Sequence, residues 1–208
     1  MSIEGIPGQI NIDFVKAWME PRVSAKRFKH VIGVAKVASK IAAAYGCDSY
    51  LAELGGWLHD ACKEEKDKVL VQKAREFKIP FTQVEEQYGH LLHGPVGACV
   101  VREELGITHE ELLAAIAEHT LGNVPMSKLS EVLYLADCLE ESRPSDYTAP
   151  IWASLSLDDE INVEKAMVTA SDLGLLHLME TARPIHPRAV EVRNHYLAKL
   201  RARTDLES

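Results

Sequence analysis

Apolar residues recur every three or four positions along almost the whole chain, and this helical spacing limits the folds open to it. The segment from about 23 to 45 shows the pattern clearly, since Val31, Val34, Ala38 and Ile41 fall on one helical stripe. Alternating stretches typical of strands are scarce, and no Asn-Gly or Asp-Gly pair marks a hairpin turn. The sequence therefore predicts an all-α fold, a helical bundle of about eight to ten helices.

Length and composition fit one soluble globular domain. The chain has 208 residues, of which 47% are apolar and 26% charged. It lacks a run of about 18 apolar residues and a secretion signal, so we predict no membrane partner and a cytoplasmic location. Four cysteines without CxxC spacing are interpreted as free thiols in a reducing compartment.

The net charge of −8 bears on the partners of the chain. It argues against nucleic acid, which requires a basic face. A phosphorylated small molecule remains compatible with it, because a metal ion and a few well-placed cations can reverse the sign locally.

His59 and Asp60 stand side by side in the largely apolar run 55–62. An unpaired buried charge costs several kcal/mol, so buried carboxylates are usually paired or bound to a metal. Imidazole and carboxylate are common ligands of divalent metals, whereas a structural His–Asp hydrogen bond is the simpler interpretation. Taken alone, the pair favours the simpler interpretation.

Further polar residues fall on inward stripes or near helix ends, and together they favour a common counter-charge. Desolvating that many polar groups separately would be prohibitive. The ordered set is His30, His59, Asp60, His93, His119 and Asp137.

The order of these residues resembles the HD-domain phosphohydrolase superfamily, and within it the YqeK-type symmetrical bis(5'-nucleosyl)-tetraphosphatases. The resemblance covers about residues 22 to 197, although Ala189 stands where a threonine is expected and residues 1–20 match nothing. It is carried by the segments 27–30 (RFKH), 58–64 (LHDACKE), 93–98 (HGPVGA), 115–120 (AIAEHT), 126–129 (MSKL) and 135–140 (LADCLE), with Arg143.

This resemblance implies a fold, a metal and a substrate class. The fold is a single all-α HD domain over 1–208, with an N-terminal helical extension at 1–21, a metal-binding core at 22–143, and a loop and C-terminal helices at 144–208. The implied metal is a divalent ion, iron first, with manganese or cobalt as alternatives. Its ligands would be His30, His59, Asp60 and Asp137, and the residues that contact the nucleotide would be Arg27, Lys63, His93, His119, Thr120 and Arg143.

Catalytic roles are implied for His93, His119 and Lys63. The two imidazoles can orient water or protonate the leaving diphosphate, and the sequence does not assign the proton between them. A second metal ion held by His93 and His119 is the open alternative. Lys63 also has an ordinary interpretation as a solvated charge in the run 63–68.

Several other residues receive simpler interpretations. Glu140 and Glu141 are predicted to lie on a solvated face, with Glu140 alternatively supporting a ligand from one turn after Asp137. His90 is interpreted as a plain loop residue. Residues 144–157 are predicted to be a loop beside the substrate, and a homodimer is a further expectation.

The leading function is metal-dependent hydrolysis of a dinucleoside tetraphosphate, such as diadenosine tetraphosphate, to two nucleoside diphosphates. The alternatives are another HD phosphohydrolase acting on nucleoside mono- or triphosphates, and a non-catalytic nucleotide-sensing module.

Overall fold

Helices make up nearly all of the computed structural model, which describes residues 3–157 and 160–207. None of these residues belongs to a β-strand, so the predicted all-α class is confirmed, with eleven α-helices against the eight to ten expected. In chain order they are α1 (Ile12–Met19), α2 (Ala25–Tyr45), α3 (Ser49–Leu58), α4 (Asp67–Glu76), α5 (Gln83–Gln87), α6 (His93–Leu105), α7 (Glu110–Glu118), α8 (Lys128–Leu139), α9 (Ser145–Leu155), α10 (Val163–Glu180) and α11 (Pro187–Glu207).

The helix ends follow local capping chemistry. The side chains of Ser24, Asp48 and Ser127 accept hydrogen bonds from backbone N–H groups in the first turns of α2, α3 and α8. Helix α2 ends at Gly46, whose positive φ of 68° suits a residue without a Cβ. A capping box joins Thr82 and Glu85 at the start of α5. At α7 the N-cap is His109, whose ring accepts a hydrogen bond from the N–H of Leu112.

Helix α2 packs against α3 and α8, and α7 packs against α6 and α8. Gly56 lets α3 approach α2 closely, since a Cβ there would lie 2.5 Å from the Cα of Ala35. Gly94 does the same at the start of α6, where a Cβ would lie 2.9 Å from the carbonyl oxygen of Ala117. These two close approaches bring the ends of α3, α6 and α7 together beside α2.

The segment predicted to be a loop at 144–157 is instead mostly helical, as α9. Pro144 and Pro150 indicated a break, and Pro150 does lie inside the helix without an N–H to donate. Burial of Ile151 and Leu155 against the core offsets that cost. Helix α10 then packs onto α8 and α9, and α11 packs onto α10.

Buried Glu131 ties α11 to the rest of the bundle. Its carboxylate accepts hydrogen bonds from the hydroxyls of Tyr45 on α2 (2.8 Å) and Tyr196 on α11 (2.7 Å).

Among the described helices, none combines the length and apolar character needed to cross a membrane.

Candidate metal centre and active site

Helix α3 ends just before the His-Asp pair. His59 is the C-cap residue, and Asp60 follows in the turn after the helix. Neighbours within a helix point about 100° apart, so ending the helix here lets both side chains turn toward one point. Both are buried, with 0% and 2% of their surface exposed.

His30 of α2 joins this pair and completes a first group of ligand atoms. The Nε2 atom of His59 lies 3.3 Å from Oδ2 of Asp60, and the Nε2 atom of His30 lies 3.7 Å from the same oxygen. The three atoms lie within 4.8 Å of one another, a spacing suited to a single ion. We refer to His30, His59 and Asp60 as the first group.

The far side of each first-group ring is fixed by a hydrogen bond. The Nδ1–H of His59 donates to the carbonyl of Gly56 (2.7 Å), and that of His30 donates to Glu140 Oε1 (2.9 Å). Both Nε2 atoms are buried and make no hydrogen bond within the described part of the chain. Unprotonated, converging Nε2 atoms with their Nδ1 atoms fixed are the usual arrangement of metal-binding histidines. The residues therefore fit a divalent metal.

Asp137 and two arginines lie beside the first group. Asp137 Oδ1 is 3.1 Å from Nε2 of His30 and accepts a 2.7 Å bond from Arg143. Arg27 donates to Oδ2 of Asp60 at 2.9 Å. Two cations thus stand next to the carboxylates at a site where phosphate oxygens can be bound.

The other carboxylate oxygen of Asp60 faces a second pair of histidines. Its Oδ1 lies 3.3 Å from Nε2 of His93 and 3.7 Å from Nε2 of His119. These three atoms also lie within 4.8 Å of one another. We call Asp60, His93 and His119 the second group, so Asp60 is shared by both.

The second group has the same fixed tautomers. The Nδ1–H of His93 donates to the carbonyl of His90 (2.5 Å), and that of His119 to the carbonyl of Ile116 (2.8 Å). Their Nε2 atoms lie 2.9 Å apart, so neutral rings bring two lone pairs face to face. The Thr120 Oγ1 lies within 3.1 Å of both Nε2 atoms and can donate its one hydrogen to either of them. Lys63 Nζ lies 3.3 Å from Nε2 of His93 and donates to that ring.

Burial and charge act differently on the histidines of the two groups. Burial alone lowers the pKa of His59, but Asp60 and Asp137 outweigh it, so the pKa is raised. Burial and the Lys63 charge lower the pKa of His93, and burial with the neighbouring imidazoles holds that of His119 well below its ordinary value. Burial opposes ionisation of Asp60, yet His59 and His93 hold its pKa well below the usual range.

All ten residues implied for the site lie around these two groups. Arg27, Lys63, Thr120 and Arg143 each contact one of the metal-site or histidine residues directly. His90 instead has an exposed side chain, 3.4 Å from Asp67, although its backbone carbonyl positions His93.

The prediction of a solvated face is correct for exposed Glu141 and wrong for Glu140. Glu140 is 1% exposed and holds His30, as the alternative interpretation anticipated. Helix α8 ends at Leu139, and this end turns Glu140 inward toward α2. The spacing of three residues from Asp137 was the only sequence signal of this role.

A cavity of about 520 Å³ opens beside the second group, and its lining includes Lys63, His119, Thr120 and Arg143. Tyr147 of α9 also lines it, in keeping with the prediction that 144–157 lies beside the substrate. Sequence reasoning missed the part of the wall that comes from α8 and α10, for example Tyr134, Ser171 and Leu175.

Comparison with known proteins places this geometry in context. The model of the HD domain family matches residues 27–142. A Halalkalibacterium halodurans protein named bis(5'-nucleosyl)-tetraphosphatase, symmetrical, is 32% identical over 86% of this chain and 93% of its own length. A Staphylococcus aureus protein of the same name is 30% identical over 90% of this chain and 95% of its own length.

A solved structure shares the fold. It is the crystal structure of a predicted HD superfamily hydrolase involved in NAD metabolism from Clostridium acetobutylicum, with a TM-score of 0.85 and 24% identity. The match covers 92% of this chain and all of that one. The family match spans more than half of the sequence and includes both histidine groups, and the chain belongs to the HD-domain family.

Proposed function

We propose that this chain is a metal-dependent hydrolase that cleaves dinucleoside tetraphosphates, such as diadenosine tetraphosphate, symmetrically into two nucleoside diphosphates. One observation carries the proposal: a single buried carboxylate, Asp60, faces one histidine pair with each oxygen, and cations surround it. The names of the two bacterial relatives support the same reaction and substrate class.

The proposed metal ligands are His30, His59, Asp60 and Asp137. A mixed set of imidazole nitrogens and carboxylate oxygens suits iron(II), and manganese or cobalt can occupy the same donors. When bound, such an ion polarises a phosphoryl oxygen and lowers the pKa of water. We propose iron as the native metal, and the metal content of freshly purified protein tests this.

Arg27, Lys63 and Arg143 are proposed to neutralise the tetraphosphate bridge. Each guanidinium carries five N–H donors, so Arg27 and Arg143 can pair with a carboxylate and still donate to phosphate oxygens. The two arginines lie beside the first group and Lys63 beside the second. The tetraphosphate bridge would therefore lie over Asp60, between the two arginines on one side and Lys63 on the other.

His93 and His119 are proposed to move the proton as a pair. Their lowered pKa values keep both rings neutral at pH 7, ready to accept a proton from the attacking water. Because the two Nε2 atoms are 2.9 Å apart, a proton taken up by one can be shared with the other. The charged pair then donates to the bridging oxygen of the leaving diphosphate, while the Thr120 hydroxyl orients both rings.

A second metal ion is the alternative role for the second group. Asp60, His93 and His119 offer three converging ligand atoms, and facing lone pairs are relieved by a cation as well as by a proton. The proton role is favoured here because Lys63 places a positive charge 3.3 Å from His93, which opposes a second cation.

Product analysis tests the function. Protein loaded anaerobically with iron(II), manganese or cobalt is mixed with diadenosine tetraphosphate, and the nucleotides are separated by chromatography. We expect ADP alone. AMP with ATP would reject symmetrical cleavage, and absence of product with every metal would favour another nucleotide substrate or a sensing role.

The homodimer and the cytoplasmic location stay predictions. Sedimentation can check the homodimer.

A further inference from the structure

Two cavities of unequal size and character reach the candidate active site from different sides. The large cavity, of about 520 Å³, borders His119 and Lys63. The small cavity, of about 340 Å³, borders Arg27 and His30. Arg143 lines both, so the two cavities meet at the residue proposed to hold the phosphate bridge. A third cavity, of about 470 Å³, also borders Arg143 but is lined by no histidine of either group and not by Asp60.

The large cavity has the lining expected for a nucleoside. Tyr134, Tyr147 and Leu175 supply aromatic and aliphatic surface from three different helices, and its volume lies within the range of small-molecule pockets. Ser171 adds a buried hydroxyl, 4% exposed as a residue, beside the Tyr134 side chain. Its Oγ is buried within hydrogen-bonding reach of the Tyr134 hydroxyl, so Ser171 helps to fix that ring in the cavity wall.

The small cavity has a different character. Its lining residues are polar or charged except for Pro144. Ser24 and Lys26 lie at the start of α2, Glu64 lies in the segment after α3, Ser142 follows α8, and all four are exposed. Ser24 and Glu64 already bond to each other through a backbone N–H at 2.7 Å.

No Phe, Tyr or Trp is among the described residues that line the small cavity. Arg27 and Arg143 bond to Asp60 and Asp137, and the His30 ring is held by Glu140, so a base would find no free stacking surface there.

We infer that the site binds the two ends of its symmetrical substrate unequally, with one nucleoside recognised in the large cavity and the other lying in the small polar cavity without recognition of its base. This inference rests on the proposed function and adds a specificity to it. The second nucleoside would then contribute little to binding, and the chain would identify its substrate by one nucleoside and the tetraphosphate.

A substrate lacking one nucleoside tests the inference directly. Adenosine 5'-tetraphosphate and water would give ADP and pyrophosphate: the anhydride between the second and third phosphates breaks, and the water oxygen joins one of them. We expect kcat/KM for this compound within about tenfold of that for diadenosine tetraphosphate. A loss greater than about a hundredfold, with diadenosine tetraphosphate still cleaved, would overturn the inference and leave the proposed function intact.

A binding measurement keeps the test independent of turnover. We expect one ADP to bind per chain by calorimetry, in the large cavity. Gly174 of α10 lines that cavity, and a Cβ built on it meets nothing within 4 Å. Gly174→Leu should therefore fill the cavity and weaken ADP binding more than tenfold, whereas the matched Gly174→Ala should change it less than threefold.

The small cavity supplies the contrasting variant. Lys26→Ala should change ADP binding less than threefold, because Lys26 lines only the small one of these two cavities. Equal weakening by Lys26→Ala and Gly174→Leu, or two equivalent ADP sites, would overturn the inference. If Gly174→Leu fails to fold, Ser171→Ala replaces it with an expected loss of a few-fold, and unchanged ADP affinity in that variant would contradict recognition in the large cavity.

Discussion

The two sides of Asp60 place the same residue type in opposite electrostatic surroundings. On the first side, His30 and His59 lie among the carboxylates of Asp60, Asp137 and Glu140, and the pKa of His59 is raised. An excess of negative charge around unprotonated nitrogen atoms favours a permanently bound cation.

On the second side, the histidines face a cation rather than further carboxylates. His93 lies beside Lys63, both rings contact Thr120, and the pKa values of His93 and His119 are lowered. Such rings stay neutral near pH 7, with a lone pair on each Nε2 to accept a proton. On the roles proposed above, the charges next to a buried imidazole, more than the imidazole itself, distinguish metal binding from proton transfer.

Removing the shared carboxylate should have the largest effect. Asp60→Asn keeps the shape of the side chain but takes the negative charge from both groups. We expect bound metal to be lost and kcat/KM to fall more than about a thousandfold, of order 4 kcal/mol. Metal analysis and turnover of diadenosine tetraphosphate check this. A variant that keeps both would show that Asp60 joins neither group.

Removing the hydrogen bond that holds His30 of the first group should have the next largest effect. Glu140→Gln weakens the hold on His30 Nδ1, and loss of such supporting bonds typically costs 10–100-fold in metal affinity. Glu141→Gln is the matched control, since Glu141 is exposed. Competition with a chelator measures the affinity, and equal effects of the two substitutions would contradict the assigned role of Glu140.

Arg143 should act on substrate more than on metal. Arg143→Ala is expected to raise the KM for diadenosine tetraphosphate by about tenfold with a smaller change in kcat, since it removes a bidentate phosphate donor. The KM of Arg143→Lys should lie between those of the unsubstituted protein and Arg143→Ala, because lysine keeps the positive charge without the planar guanidinium. An unchanged KM would remove Arg143 from the phosphate site.

The smallest expected effect is on the free energy of unfolding of the chelator-treated protein, measured as a function of pH. The lowered pKa of His119 gives stability that is present above about pH 6.5 and is lost as pH falls, because the unfolded chain takes up the proton first. The raised pKa of His59 acts in reverse, with stability that is lost as pH rises above about 6.5.

Denaturant titrations between pH 5 and 8 separate the two histidines. His119→Gln should reduce the loss of stability on the acid side, and His59→Gln should reduce the loss on the alkaline side. Each effect is at most about 1.4 kcal/mol per pH unit. Identical profiles for the two variants would contradict the difference between the groups.

The sequence predicted which residues come together at the candidate site better than it predicted their surroundings, for a physical reason. Histidine and aspartate on an inward apolar stripe are costly, so His30, His59, Asp60, His119 and Asp137 are conspicuous in a single sequence. Their positions also follow from strong local signals, since capping residues and glycines fix the ends of α2, α3 and α8.

The missed features depend on contacts distant in sequence. The proline content of 144–157 indicated a loop, and only burial of Ile151 and Leu155 against other helices explains why α9 forms. The large cavity is likewise assembled from α8, α9 and α10, and residues such as Tyr134 and Ser171 carry no local mark of that role. Glu140 comes directly after the end of α8, and the local pattern did not reveal that the chain turns this side chain inward.

Metal content and turnover measured together in His59→Gln and His119→Gln test the central difference most directly. Each variant would be loaded anaerobically with iron(II), freed of excess metal, and analysed for ions per chain and for ADP formed from diadenosine tetraphosphate. We expect His59→Gln to lose both metal and activity, and His119→Gln to keep its metal while kcat falls by about 10²–10⁴. Loss of metal from His119→Gln would contradict the proton role and show that the second group also binds a metal ion.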